Sequence, residues 1–483
     1  MRRVLAVAAM VALVGRPAGA KEPSPSELKR RIEPLTARSA LAGAWWGIEV
    51  RSLRSGKVLY ALNATRNFMP ASTMKLITTA AVLDALGPTE RLRTTVETAG
   101  RLDGFGRILG DVYLVGRGDT SLSARFGGAR PTAALEELAD RLQAAGVRRI
   151  EGRLIGHEGY FAGPRRGERW GWADLVWCYG TEVSALVFND NCAQLTAAPG
   201  ERVGDPARVD AAPASRYYRI ASSSRTSAAA APEQMVLVRD LGTMEFRLGG
   251  TVPLGAPAWS GSVAMEDPAR FAATVFAEVL QARGIPVSGG VDTGAAPLPA
   301  GARVLAVHES PPLAELLAAI NKPSQNLHAE MMLRVLGARV KGRGGAEEGL
   351  HALDDFLRRS RVSTASWNLE DGSGLSRTGL VTPQGMVDLL VAMDRHPHRT
   401  AFIDSLPVAG VDGTLANRMK GGAAEGRVRA KTGTLTQVNA LAGYATTRAG
   451  DRLAFCIVLN HHTAGSSAGV GAVDEIVAAL VGR

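Results

Sequence analysis

The sequence predicts an α/β fold in which the two ends of the chain share one antiparallel sheet and a long strand-rich insertion separates them. Strand-like segments lie at 44–51 and 57–62 near the N-terminus. Comparable segments lie at 439–447 and 452–460 near the C-terminus. The block between about 90 and 300 is rich in strands and turns, and helical patterns dominate after it. One sheet built from both ends, with flanking helices and that block as an insertion, accounts for this order.

The helical segments are recognised by the spacing of their apolar residues and by the glycine or proline that ends them. The clearest begins at Ser72 and continues through a strongly apolar stretch to Leu86, where Gly87-Pro88 stops it. The region 199–262 is dense in Gly, Pro, Ser and Ala and receives no assignment. The other helices are predicted over 27–35, 133–145, 268–283, 313–336, 345–359 and 472–481.

The first twenty residues have the pattern of a secretory signal peptide. Arg2-Arg3 precede an apolar run from Val4 to Val14, and Ala18-Gly19-Ala20 provide small residues before a cleavage point. The apolar run is shorter than the roughly 20 residues that a membrane-spanning helix needs. No cysteine follows the cleavage region, which argues against a lipid anchor there. We expect cleavage after Ala20 and a protein without a transmembrane segment, exported to the periplasm or the outer face of the cell envelope.

Composition and charge narrow the classes of partner. Hydrophobic residues make up 46% and charged residues 21% of the 483-residue chain, an ordinary balance for a globular protein. The formal net charge is +10, but the basic residues are scattered arginines without a long run or interleaved aromatics. This distribution predicts no nucleic-acid partner and fits an anionic cell-wall polymer.

The three cysteines predict a disulfide or free buried thiols. Cys178 and Cys192 bracket 13 residues, and export favours a disulfide between them over two free thiols. Cys456 stands in an apolar, strand-like run and is expected to be buried. No histidine lies near Cys178 or Cys192 at ligand spacing, so no metal site is predicted.

Ser72 and Lys75 are a candidate nucleophile and base. Positions i and i+3 of a helix share one face, so the two side chains can meet. A lysine amine accepts a hydroxyl proton only when its pKa is depressed, and we expect burial and the nearby charge of Lys431 to lower the pKa of Lys75. Ser26 and Lys29 have the same spacing, but only Ser72 is followed by an apolar helix that would place it in a core.

A second motif, Ser324-Gln325-Asn326, stands directly before a helical run. The hydroxyl of Ser324 and the amide of Asn326 could relay a proton and hold a substrate amide. Ser366 and Asn368 repeat the spacing, and either pair could simply cap a helix.

A third motif, Lys431-Thr432-Gly433-Thr434, occurs once and precedes a strand pattern. A cation and a hydroxyl suit a substrate carboxylate. Gly433 would let a substrate backbone lie close against the strand. The alternative interpretation is an ordinary turn at a sheet edge.

Together and in this order, the three motifs resemble the Ser-x-x-Lys, Ser-x-Asn and Lys-Thr-Gly signature of penicillin-binding proteins and serine β-lactamases. A rival nucleophile pattern at 465–469 has no histidine after it, so a triad in the usual order cannot form. The separation of 252 residues between Ser72 and Ser324 resembles the low-molecular-mass class C penicillin-binding proteins, the D-alanyl-D-alanine carboxypeptidase/endopeptidase family. The segments that carry the resemblance are Gly110–Leu114, Asn189–Cys192, Asp371–Arg377, Gly410–Leu415 and Ala430–Leu435.

The resemblance implies a penicillin-binding/serine β-lactamase-like core, an antiparallel sheet with flanking helices. Residues 21–88 and 302–483 would form this catalytic domain, and 89–301 would form the insertion as two nested smaller domains. No cofactor is expected. The expected partners are peptidoglycan stem peptides and β-lactam antibiotics, and a homodimer is left open.

The resemblance also implies a role for each motif residue. Ser72 would be acylated by the penultimate D-alanine carbonyl, with Lys75 as general base. Ser324 and Asn326 would relay protons and position the substrate. Lys431 and Thr432 would receive the terminal carboxylate, and the backbone N–H groups of Ser72 and Thr434 would form the oxyanion hole.

Two further residues are candidates for contacts with the side chain of the substrate. Asp174 follows Trp170-Gly171-Trp172-Ala173, a segment that resembles some relatives, as does a Cys178–Cys192 disulfide. Arg377 is the second candidate, and an ordinary turn carboxylate is the alternative for Asp174. Gln325 departs from the family, in which Asp is common at that position.

Three alternatives to a D-alanyl-D-alanine peptidase remain at this point. A serine β-lactamase would carry the same motifs, although the long insertion argues against it. An esterase could use the same Ser-Lys pair, and a cell-wall-binding protein could keep the motifs without activity. The sequence does not separate carboxypeptidase from endopeptidase action, because both cut after a D-alanine.

Overall fold

The computed structural model describes residues 22–128 and 130–482. The predicted signal peptide at 1–20 lies outside these residues. Within them, no helix has the length and apolar character needed to cross a membrane.

The described chain contains runs of strands and runs of helices. The helices are α1 (Pro25–Thr36), α2 (Met74–Leu86), α3 (Ala124–Gly127), α4 (Ala133–Ala144), α5 (Pro268–Ala282), α6 (Leu313–Asn321), α7 (Asn326–Lys341), α8 (Ala346–Arg359), α9 (Pro383–Asp394), α10 (Arg399–Asp404) and α11 (Ser466–Val481). The strands are β1 (Trp45–Ser52), β2 (Val58–Leu62), β3 (Arg93–Thr98), β4 (Arg101–Leu102), β5 (Arg107–Leu109), β6 (Val112–Val115), β7 (Arg149–Ile150), β8 (Leu154–His157), β9 (Cys192–Ala198), β10 (Arg208–Ala212), β11 (Arg219–Ser222), β12 (Arg225–Ser227), β13 (Gln234–Val238), β14 (Glu245–Pro253), β15 (Trp259–Ala264), β16 (Val291–Gly294), β17 (Arg303–Glu309), β18 (Val428–Leu435), β19 (Val438–Thr446) and β20 (Arg452–Asn460).

The two ends of the chain form one antiparallel sheet with the order β18-β19-β20-β1-β2. Strand β1 pairs with β20 along its whole length, from Trp45 opposite Asn460 to Ser52 opposite Leu453. Side chains of β20 alternate between two cores, as the two-residue period of a strand requires. Phe455 and Ile457 pack with helices α1 and α11, whereas Cys456 packs with the helical half of the molecule. The predicted fold class is confirmed.

The insertion has its own strands and its own core. One sheet has the order β16-β8-β6-β3-β17, and a smaller one has the order β10-β9-β15. Helices α4 and α5 pack against the insertion core, which includes Leu138, Phe271 and Phe276. The region 199–262, which received no assignment, contains β10 to β15. The domain boundaries at 88/89 and 301/302 stay a prediction.

The structure differs from the predicted helix at 313–336, which is two helices, α6 and α7. Pro323 follows the end of α6, and proline lacks the N–H that a continuing helix needs. Ser324 then adopts a positive φ of 67° before α7 begins at Asn326. The break therefore lies at the second motif and sets the direction of its side chains.

The predicted disulfide between Cys178 and Cys192 is confirmed, with their Cα atoms 5.6 Å apart. Cys456 is buried and unbonded, also as expected. The disulfide ties the 3₁₀ turn Cys178–Gly180 to the start of β9.

Candidate active site

Ser72 lies in a 3₁₀ turn, Ala71–Thr73, that leads directly into α2. The Thr73 hydroxyl donates to the Pro70 carbonyl oxygen at 2.7 Å and closes the turn. All residues of α2 from Met74 to Leu83 are buried, as expected for a helix that is apolar on every face. Lys75 follows Ser72 by one turn and therefore enters the core, where its side chain is 0% exposed.

Two glycines let neighbouring segments approach the Ser72 turn. A Cβ on Gly374 would overlap the Ala71 carbonyl oxygen. A Cβ on Gly433 would lie 2.7 Å from the Pro70 carbonyl oxygen, closer than real contacts allow. Gly433 therefore lets β18 pack against the turn, and its expected role of making room for a substrate backbone stays a prediction.

The Lys75 ammonium donates to three oxygens. Its Nζ lies 2.8 Å from Ser72 Oγ, 2.6 Å from Asn326 Oδ1 and 2.7 Å from the Ser373 carbonyl oxygen. The structure therefore brings the first two motifs into contact around one buried nitrogen. A hydroxyl with an amine at hydrogen-bond distance is the geometry that nucleophile activation requires.

The Lys431 ammonium meets the second motif from the other side. Its Nζ donates to Ser324 Oγ at 2.8 Å and to the Thr432 carbonyl oxygen at 3.0 Å. The Thr432 hydroxyl donates to Thr414 Oγ1 at 2.8 Å. Thr414 belongs to the segment Gly410–Leu415, to which sequence reasoning gave no role. The three motifs thus share one site, and Thr414 extends it.

Burial shapes the charges of both lysines. It lowers the pKa of Lys75 to about 7, although the carboxyl groups of Asp371 and Glu330 act in the opposite direction. Burial also lowers the pKa of Lys431 well below its usual range, and repulsion from Lys75 lowers it further. Burial is the largest cause of the lowered pKa of Lys75, as expected, and the two ammonium groups also repel each other.

Glu330, which sequence reasoning missed, supports the partner of Lys75. Its Oε1 accepts the N–H groups of Gly372 at 3.0 Å and Ser373 at 2.8 Å. These bonds hold the turn whose Ser373 carbonyl accepts from Lys75. The available signal was its position four residues after Asn326, which places both side chains on one face of α7.

Asp371, also missed, organises the same turn from within. Its carboxylate accepts the N–H groups of Gly374 and Ser376, each at 2.7 Å. It also accepts the indole N–H of Trp170 at 3.1 Å, which links the insertion to the site. Asp371 lines a cavity of about 250 Å³ together with Trp170, and neither Ser72 nor Lys75 lines it.

The structure places Asp174 close to the rim of the site. Its carboxylate accepts the Tyr179 hydroxyl at 3.2 Å, and the Tyr179 carbonyl accepts the Asn326 amide at 2.8 Å. Arg377 is exposed and donates to the Thr436 carbonyl oxygen at 3.2 Å, beyond the end of β18. Contacts of Asp174 and Arg377 with a substrate stay a prediction. Thr434 is exposed at the same end of β18.

Comparison with known proteins gives one consistent result. The model of the D-Ala-D-Ala carboxypeptidase 3 (S13) family matches residues 28–480. The chain is 36% identical over 450 residues to a D-alanyl-D-alanine carboxypeptidase of Actinomadura sp. (strain R39), covering 91% of this chain and 82% of that one. It is 27% identical to the D-alanyl-D-alanine carboxypeptidase DacB of Haemophilus influenzae, over 87% of this chain and 86% of that one. The crystal structure of penicillin binding protein 4 (dacB) from Haemophilus influenzae superposes with a TM-score of 0.80 at 24% identity, covering 94% and 97% of the two chains.

Proposed function

Because this chain belongs to the D-Ala-D-Ala carboxypeptidase 3 (S13) family, we propose that it hydrolyses the D-Ala-D-Ala bond of peptidoglycan stem peptides through an acyl-enzyme on Ser72. The observation that carries this proposal is the 2.8 Å hydrogen bond between Lys75 Nζ and Ser72 Oγ. Since burial lowers the pKa of Lys75 to about 7, a substantial fraction of this amine is neutral near neutral pH and can accept a proton. The chain is accordingly a serine hydrolase of the carboxypeptidase class.

Acylation begins when Ser72 Oγ attacks the carbonyl carbon of the penultimate D-alanine. Lys75 takes the hydroxyl proton as the O–C bond forms. The C–N bond to the last D-alanine then breaks, and the proton held by Lys75 passes through the Ser324 hydroxyl to the leaving amine, which returns Lys75 to its neutral form. Asn326 holds Lys75 in place and positions the peptide. Water next attacks the ester, Lys75 takes the water proton and passes it to Ser72 Oγ as the acyl bond breaks, and the shortened peptide and free Ser72 are released.

The terminal carboxylate of the substrate is bound beside β18. Lys431 supplies a cation and Thr432 a hydroxyl, which donates to Thr414 Oγ1 in the free protein and would turn its hydrogen to the carboxylate when the substrate binds. An arriving carboxylate favours the charged form of Lys431 and thereby offsets the cost of its burial. The backbone N–H groups of Ser72 and Thr434 are proposed to stabilise the oxyanion.

The same chemistry accommodates two leaving groups and one inhibitor class. A free D-alanine leaves in carboxypeptidase action, and a cross-linked peptide leaves in endopeptidase action. A β-lactam would acylate Ser72 and remain attached. A serine β-lactamase would instead release the opened drug rapidly, and an esterase would show no preference for a D-Ala-D-Ala terminus. A cell-wall-binding protein without activity is disfavoured because the Ser72–Lys75 pair is intact.

The site of action is proposed to be the cell envelope. The predicted signal peptide would export the chain, and two of its relatives are named D-alanyl-D-alanine carboxypeptidases. The basic net charge suits an anionic polymer. A homodimer stays a prediction.

Product analysis tests the proposal. The purified protein is incubated separately with a D-Ala-D-Ala pentapeptide and with cross-linked muropeptides, and the products are identified by mass. We expect a loss of one D-alanine from the pentapeptide, and a second product pattern if cross-links are also cut. Sustained hydrolysis of a chromogenic β-lactam with no cleavage of either peptide would instead identify a β-lactamase.

The pH dependence of the reaction follows from the protonation of Lys75. The amine acts as a base only when neutral, so kcat/KM should rise as pH increases through about 7 and then level off. A lysine with its ordinary pKa of about 10.4 would instead give a rate that keeps rising above about pH 9. The measurement is kcat/KM for D-alanine release across this range, with the folded fraction checked by circular dichroism at each pH.

A further inference from the structure

A buried carboxylate of the insertion, Asp190, lies against the second motif. Its Oδ2 accepts the amide N–H of Gln325 at 3.0 Å, and its Oδ1 accepts His328 Nε2 at 2.9 Å. Arg125 Nε donates to Oδ2 at 2.7 Å from the solvent side. Only 12% of the Asp190 side chain is exposed. This carboxylate takes no direct part in acylation or in hydrolysis of the acyl-enzyme.

The backbone that presents Asp190 is held in an unfavourable conformation. Asn189, Asp190 and Asn191 have consecutive positive φ angles of 49°, 56° and 53°, a region that non-glycine residues rarely adopt. The buried Asn191 amide fastens the segment by donating to Thr181 Oγ1 at 2.7 Å and to the Met265 carbonyl oxygen at 2.8 Å. Strained backbone that its surroundings hold in place is concentrated at functional sites.

Gln325 connects Asp190 to the start of α7. Its Oε1 accepts the N–H of Leu327 at 3.1 Å and so caps the helix, while its Nε2 donates to Asp190. Gln325 stands between Ser324, which contacts Lys431, and Asn326, which contacts Lys75. Gln325 therefore links Asp190 to the two residues whose side chains contact the buried lysines.

The charge of Asp190 suits this position. Burial alone would raise its pKa, but His328 and Arg125 hold the pKa of Asp190 well below its usual range. A carboxylate near the N-terminus of a helix is also stabilised by the helix dipole.

We propose that Asp190 is a positioning residue, which orients Ser324 and Asn326 through Gln325 and thereby makes the insertion necessary for turnover. This inference rests on the proposed function. It also gives Gln325 a physical role in this chain, because its amide N–H is the donor that Asp190 requires. The alternative is that Asp190 only stabilises the fold.

A polarity exchange separates these two roles. Asp190→Asn places an amide N–H opposite the Gln325 amide N–H, so neither group can accept and the hydrogen bond is lost. Gln325→Glu keeps the bond that caps α7, but it places two carboxylates next to each other, and they repel. The paired change Asp190→Asn/Gln325→Glu restores the hydrogen bond with its direction reversed and leaves an acceptor for His328. Because Arg125 Nε also donates to Asp190 Oδ2, the new amide N–H would face that donor, so the two single changes and the pair are made in the Arg125→Gln background. Arg125→Gln, which removes the partner on the solvent side, is the matched control.

The expected result is a fall in kcat of about tenfold or more for each single variant with KM nearly unchanged, because small misplacements of catalytic groups cost up to about 100-fold. The paired variant should recover most of the lost kcat, and Arg125→Gln should match the wild type. Wild-type kcat in the single variants, or losses that the pair does not recover, would overturn the inference. Single variants that melt early and recover only their melting temperature in the pair would assign Asp190 to stability and also overturn it. Absence of D-alanine release by the wild type would defeat the proposed function instead.

Discussion

The substitution Ser72→Ala is expected to abolish D-alanine release, with kcat/KM falling by about 10⁴-fold or more, the scale seen when a nucleophilic serine is removed. The change removes the oxygen that forms the acyl-enzyme. Lys75 would keep its bonds to Asn326 and Ser373, so the fold should be retained. Release of D-alanine from the pentapeptide, followed by a coupled assay, provides the measurement.

The chain offers a matched control for this prediction. Ser26 precedes Lys29 at the same spacing, but it lies on α1 and the side chain of Lys29 is 65% exposed. Ser26→Ala should leave kcat/KM unchanged. Equal activity in Ser72→Ala and Ser26→Ala would show that another group is the nucleophile.

The substitution Lys75→Met is expected to lower the rate of acylation by about 10³-fold, within the range that general base catalysis contributes. Methionine matches the length of the lysine stem but accepts no proton and donates no hydrogen bond. Asn326 Oδ1 and the Ser373 carbonyl would each lose a donor, which costs about 1–3 kcal/mol per unsatisfied buried group. Removing a buried cation offsets part of this loss of stability.

The measurement for Lys75→Met is the acylation rate by a chromogenic β-lactam under stopped flow, together with the melting temperature. The control is Lys29→Met, which exchanges an exposed lysine and should leave the acylation rate unchanged. A folded Lys75→Met protein that is acylated at the wild-type rate would assign the base to a different residue.

The sequence was informative where local pattern and burial agree. The helix after Ser72 was predicted because most of its residues are apolar or small, and the structure buries it from Met74 to Leu83. The shared sheet was predicted from apolar strands at both ends, and β1 and β20 pair as expected. Ser72 and Asn326 are 254 positions apart, and both contact Lys75. This proximity could be predicted only from the family resemblance, because the spacing along the sequence does not show which distant segments come together.

Other features depend on contacts between segments that are distant in the sequence, so the sequence pattern indicates them only weakly. Apart from β14, the strands of 199–262 are short, all are partly exposed, and most of the glycine, proline and serine lies in the turns between them. Glu330 acts on backbone N–H groups of Gly372 and Ser373, and any residue type can supply such groups. The helix break before Ser324 depended on one proline, and the sequence interpretation overlooked it.

The pKa values of the two buried lysines are lowered by burial and by their neighbours. Two ammonium groups within one dry site cannot both be fully charged without a counterion. Glu330 and Asp371 oppose the effect of burial on the pKa of Lys75, whereas Lys431 has the repulsion of Lys75 and Arg418 added to its burial. A substrate carboxylate that pairs with Lys431 would supply the counterion that this buried ammonium group lacks in the free protein.

If Ser72 forms the acyl-enzyme, a β-lactam should be attached covalently to its hydroxyl oxygen. The purified protein is treated with penicillin and digested, and the modified peptide is sequenced by mass spectrometry. We expect a single adduct on Ser72, which forms more slowly in Lys75→Met and not at all in Ser72→Ala. An adduct on another serine, or an adduct that persists in Ser72→Ala, would show that Ser72 is not the nucleophile.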